Sequence, residues 1–104
     1  MAGAGATKEL EEAKAVIADM EAEMKILRSR ENRIKTNMEE GLAAKASYEK
    51  KIADGKDADD MEKAVYESMI NDAEIMDKDV KCEIAECEEV AAEARATVER
   101  LEKS

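Results

Sequence analysis

The sequence predicts an all-α protein: an antiparallel two-helix coiled-coil hairpin, whose self-pairing would give a four-helix bundle. Three observations carry that prediction. The 104 residues include no Pro, Phe, Trp or His, and 42% of them are charged, a composition of long helices rather than sheets. Apolar residues recur at alternating intervals of three and four in two long runs, which is the pattern of a coiled-coil seam. One short polar stretch, "KKIADGKDADDMEKA" at residues 50–64, separates the two runs.

Residues 1–7, "MAGAGAT", read as a flexible tail ending in Thr7 as the cap of a first helix over about 8–53. The seam of that helix runs through Leu10, Ala13, Ile17, Met20, Met24 and Leu27, then Ile34, Met38, Tyr48 and Ile52. Glu31, Gly41 and Lys45 interrupt it. The turn falls at about 54–59. Lys50 and Lys51 place cations on the last carbonyls of the first helix, and Gly55 supplies a left-handed residue. Asp59 followed by Glu62 has the spacing of an acidic capping box for the second helix, over about 60–103. The second seam runs through Tyr66, Met69, Ala73, Met76 and Val80, then Cys87, Val90, Ala94, Thr97 and Leu101, with Glu83 as its charged exception.

A turn this short forces the helices antiparallel. Centring it near Asp57 pairs residues whose numbers sum to about 114: Leu27 with Cys87, Ile34 with Val80, Met38 with Met76, Gly41 with Ala73 and Tyr48 with Tyr66. Gly41 then has two readings, a small layer that lets the helices approach or a weak point costing about 1 kcal/mol against Ala. Charge supports the register. Residues 8–53 carry ten basic and ten acidic side chains, and residues 54–104 carry seven and seventeen, so the net charge of -10 lies in the second half. Arg30 with Glu86, Lys35 with Asp77 and Glu49 with Lys63 are the expected flanking pairs.

Chemical sites are scarce. Without His the chain lacks the side chain that titrates near neutrality and the commonest transition-metal ligand, so no catalytic residue, cofactor or metal site is predicted. The aspartates of the turn fail the ligand spacing of a calcium loop: starting at Asp54 puts Lys56 and Ala58 at ligand positions, and starting at Asp57 puts Met61 and Ser68 there. Glu31 and Glu83 fall in one seam layer, where they could share a proton or a divalent cation, or simply fix register beside basic neighbours. Lys45 is expected to extend outward toward Asp72. Cys82 and Cys87 lie five residues apart, roughly 140° around a helix, and read as reduced thiols.

The most informative feature is a second apolar series on the C-terminal helix. Ile70, Ile84, Ala91 and Val98 sit beside the main seam, giving a face wider than one partner helix would cover. The matching flank of the first helix is mostly charged: Lys14, Glu21, Arg28 and Lys35, with Leu42 the exception. Ile70, Ile84, Ala91 and Val98 are the predicted contact with a protein partner or with a second copy in a homodimer.

The functional expectation is a non-enzymatic protein–protein interaction module, a small adaptor, scaffold or assembly factor. The alternatives are an acidic inhibitor that mimics nucleic acid for a basic target, and a chaperone-like helical hairpin. Nucleic acid is not an expected partner, since two Tyr offer no stacking platform and the net charge repels phosphate. A membrane is not expected either, because no segment approaches ~20 consecutive apolar residues. The start of the chain has neither the basic region nor the apolar run of a secretory signal, which with the reduced thiols predicts a cytoplasmic location.

Overall fold

The computed structural model describes residues 4–103, with side chains from Thr7 onward. Two helices make up the architecture, α1 (Ala4–Ala53, 50 residues) and α2 (Asp60–Lys103, 44 residues). They pack against each other as an antiparallel helical hairpin, and among the described residues there is no strand. α1 begins at Ala4, so Thr7 lies inside the helix rather than capping it, and residues 4–7 of the expected tail are helical. Nothing in "AGAT" stops a helix, and alanine is its best former. The rest of the expected tail, residues 1–3, lies outside the described residues.

The corner is built from the backbone hydrogen bonds that its residue types favour. Gly55 takes a φ of 69°, which strains any residue with a Cβ. The Lys56 amide donates to the Lys51 carbonyl at 2.9 Å and the Gly55 amide to the Ile52 carbonyl at 3.1 Å, the pair of bonds that defines a Schellman ending. At the start of α2 the Met61 amide donates to Asp59 Oδ1 at 2.9 Å, so Asp59 caps the helix as predicted. The other half of the capping box does not form. Glu62 instead accepts from Lys51 Nζ at 2.9 and 3.0 Å, tying the end of α1 to the start of α2.

The chain packs as two compact units, Met1–Arg28 with Cys82–Ser104, and Ser29–Lys81. In the first unit Leu27 is 1% exposed, and Ala13, Ala91 and Ala94 are also buried. Its register is written in a charge ladder at heptad spacing: Lys14 to Glu102, Glu21 to Arg95 and Arg28 to Glu88, each at 3.8 Å. A slip of seven residues would place Lys14 beside Arg95 and Glu21 beside Glu88, like against like. Each exposed pair contributes about 0–1 kcal/mol, so the ladder selects register more than it adds stability.

In the second unit Tyr48 and Tyr66 meet with ring centroids 5.5 Å apart and planes tilted by 53°, as the predicted register requires. Ile34, Ala73 and Val80 complete the buried layer. Gly41 is buried where the helices approach closely: a Cβ there would lie 3.0 Å from Ile70 Cγ1 and 3.4 Å from Met69 Cβ. The close-approach reading of Gly41 therefore holds, with Met69 and Ile70 rather than Ala73 as its nearest neighbours.

The seam of α2 departs from expectation. Tyr66, Ala73, Val80, Cys87 and Ala94 point inward as predicted, but the alternate positions are Ile70, Asp77, Ile84, Ala91 and Val98, each buried or half-buried. Met76 and Val90 are 47% and 42% exposed, and Glu83 is exposed as well. Either face brings one carboxylate toward the seam, Glu83 in the predicted series and Asp77 in the observed one, and Asp77 is half-buried with Lys81 at 2.7 Å. Turning α2 by about half a position, roughly 50°, keeps the Tyr66 series inward and puts Ile84 in the place of Glu83. Two of the three predicted ion pairs are replaced by pairs within α2: Asp77 pairs with Lys81 at 2.7 Å and Lys63 with Glu67 at 4.0 Å. On α1 the last inward position is the half-buried Lys51, and Ile52 is 54% exposed.

Candidate interaction surface

The rotation of α2 relocates the predicted contact residues. Ala91 is 5% exposed, and Ile70, Ile84 and Val98 are half-buried within the helix packing. Ile70 is held against Gly41. They form no free stripe on an uncovered flank, and the charged flank of α1 at Lys14, Glu21 and Arg28 is spanned by the ladder to Glu102, Arg95 and Glu88. In the first unit Ala91 forms the floor of an open groove with Met20 and Met24, walled by Glu21, Arg28, Glu88 and Arg95. Charges of both signs line its rim.

Exposed apolar side chains occur on both helices, at Val16, Ile26, Leu42 and Ile52 of α1 and at Met61, Val65, Ile75, Met76 and Val90 of α2; Met61, Val65 and Met76 border open grooves. In the second unit Met61, Val65 and Met76 are 69%, 53% and 47% exposed, and Met69 is half-exposed. Against Met61 and Val65, α1 sets only the small Ala44 and Ser47, with Asp59 and Glu62 beside them, leaving an open groove. Seven residues earlier along α1, Asn37 faces Met69 and Met76 with Asp72 in a second shallow groove. The spacings 37 to 44, 62 to 69 to 76 and 65 to 72 are whole heptads, so both grooves lie in one helical phase. Carboxylates are the only charged groups lining them. The sequence reading missed this surface: it placed Met69 and Met76 in the seam, and only the packing of α2 turns Met76 outward.

The polar seam positions resolve differently. Glu31 is half-buried and shares a cleft with Lys35, Asp77 and Lys81. Lys81 has its pKa raised, first by its hydrogen bond with Asp77, then by the Asp77 charge, with Glu31 adding to it. A nearby ammonium therefore accompanies the Glu31 carboxylate, while Glu83 is exposed. Lys45 is exposed and lies beside Tyr66, Glu67 and Glu74, whereas Asp72 lines the groove of the opposite flank.

No family model, curated protein or solved structure matches the chain. Among the described residues no group of three or more His, Cys, Asp or Glu side chains is placed to hold a metal ion. No described helix is long and apolar enough to cross a membrane. Both cysteines are free thiols, Cys82 exposed and Cys87 half-buried. Burial raises the Cys87 pKa, and the Glu23, Glu83 and Glu86 carboxylates raise it further. Its thiolate, the nucleophilic form, is therefore disfavoured near neutral pH.

Proposed function

We propose that this chain is a non-enzymatic protein–protein interaction module, an adaptor, scaffold or assembly factor working in the cytoplasm. The observation that carries the reading is the exposed apolar flank of α2 at Met61, Val65 and Met76, set beside small residues of α1. The chain leaves 7624 Å² accessible, against roughly 5,800 Å² for a compact monomer of its 11.5 kDa mass by the usual surface scaling. Ile70, Ile84, Ala91 and Val98 serve this function indirectly, by seating α2 in the rotation that turns the flank outward.

Affinity capture from native extract with the wild-type chain and with a Val65→Glu/Met76→Glu variant tests the reading, alongside sedimentation equilibrium of both. The expected outcome is a defined protein, or a second copy, retained by the wild type and lost by the variant, with helicity by circular dichroism unchanged. Identical captures together with an identical monomer mass for both chains would sink it.

A further inference from the structure

We infer that the groove between α1 and α2 in the Ser29–Lys81 unit takes a basic amphipathic helix from a partner protein. The inference rests on the interaction-module reading and names the partner's chemistry. Three features of the groove specify it. Its apolar contacts are Met61, Val65, Met69 and Met76, and unbranched, polarizable Met side chains adapt to the ridges of an incoming helix. Its α1 wall is lined by Asn37, Ala44 and Ser47, short enough to admit a helix between the two already present. The two grooves, one at Met61 and Val65 and the next at Met69 and Met76, follow one another along α2 over 15 residues, about 22 Å at 1.5 Å per residue, which matches about four turns of a guest helix.

Charge selects among possible guests. Asp59, Glu62 and Asp72 line the groove, with no Lys or Arg among the lining residues. Glu40 and Asp79, both exposed, occupy the same helical phases as Ser47 and Asp72. Glu62 is already engaged by Lys51 at 2.9 Å, so Asp59 and Asp72 carry the charge of the rim. Arg33 lies in the Glu40 phase one heptad earlier, so the anionic stretch runs from the turn to about Asn37 and gives the guest a direction. A guest helix with an apolar stripe flanked by Lys or Arg satisfies both the apolar floor and the carboxylate rim. A second copy presenting this same groove would set carboxylates against carboxylates, and a phosphate backbone would meet the same repulsion.

The test uses the full chain and a fluorescein-labelled synthetic Leu/Lys amphipathic helix of about eighteen residues, followed by fluorescence anisotropy. A peptide of the same composition with its amphipathic order scrambled is the control. The expected result is saturable one-to-one binding of the amphipathic probe alone. At least tenfold weakening is expected in Val65→Glu/Met76→Glu and in Asp72→Lys, and no change in Leu42→Glu, since Leu42 is 48% exposed but lines neither groove. Methyl resonances of Met61, Met69 and Met76 should shift on binding, and those of Met20 and Met24 should not.

The inference is overturned by absent saturation, by equal weakening in Leu42→Glu, or by a wild-type dimer that Met76→Glu disperses, which would make the occupant a second copy. Loss of extract partners in Val65→Glu/Met76→Glu without probe binding would defeat the basic-helix inference alone. Failure of both assays would remove the interaction-module reading as well.

Discussion

Gly41 shows how a single hydrogen atom can set the distance between two helices. A Cβ there would stand 3.0 Å from Ile70 Cγ1 and 3.5 Å from the Ile70 backbone nitrogen, so the usual gain of about 1 kcal/mol for Gly→Ala in a helix is opposed by overpacking. Gly41→Ala should therefore fail to stabilise the wild type but recover that gain in an Ile70→Ala background, a coupling read from urea midpoints in a double-mutant cycle. Equal effects in both backgrounds would mean the contact is slack. Three titrating groups make a separate prediction. Burial raises the pKa of Tyr66 foremost, and of Cys87 foremost, while the Asp77 hydrogen bond raises that of Lys81. All three hold protons more tightly folded than unfolded, so their contribution is complete below the unfolded thiol value of about 8.5 and is lost as pH rises through the folded values. The urea midpoint should be flat from about pH 7 to 8 and fall above about pH 9; a midpoint constant to about pH 10.5 would contradict this.

Each helix carries its own instructions, and they differ in how openly the sequence states them. The ends of the turn are local chemistry: Gly55 with its φ of 69° and Asp59 capping the Met61 amide at 2.9 Å depend on residues within one helical turn, and both were legible. Asp59→Ala should cost about 1 kcal/mol of stability in urea unfolding. The rotation of α2 was not legible, because its two candidate series are similarly apolar. Met69, Met76 and Val90 compete with Ile70, Ile84 and Ala91, and heptad counting ranks them alike. The choice belongs to the packed pair, where Ile84 goes in for Glu83 and Asp77, paired with Lys81, goes in for Met76. Between helices the ladder of Lys14, Glu21 and Arg28 with Glu102, Arg95 and Glu88 fixes alignment. Glu21→Lys or Arg95→Glu alone should each lower the thermal midpoint slightly by opposing like charges. The double exchange should restore it at low salt, and all differences should shrink near 1 M salt. Additive single effects would show that Glu21 and Arg95 do not interact.

At the scale of the whole molecule a thin core makes each buried side chain count. Leu27 and Val80 are the largest fully buried side chains, each 1% exposed. Leu27→Ala should cost about 2–5 kcal/mol, much of the ~5–15 kcal/mol that stabilises an ordinary domain. An exposed Met61→Ala should change stability by less than about 0.5 kcal/mol, both read by urea unfolding; similar values for the two would place Leu27 outside the core. The same thin core leaves the flank at Val65 and Met76 uncovered, which is why the proposed function is sought there. The sequence by itself determined the helical class, the two arms, the capped turn and the antiparallel register that joins Tyr48 to Tyr66, because these follow from periodicity and from contacts within a turn. Only the tertiary structure decided which face of α2 is inside. It moved Ile70, Ile84, Ala91 and Val98 from the predicted contact surface into the packing and put Met76 and Val90 outside, since each face carries one carboxylate, Glu83 or Asp77, and the face that packs is the one whose carboxylate, Asp77, is paired with Lys81 at 2.7 Å.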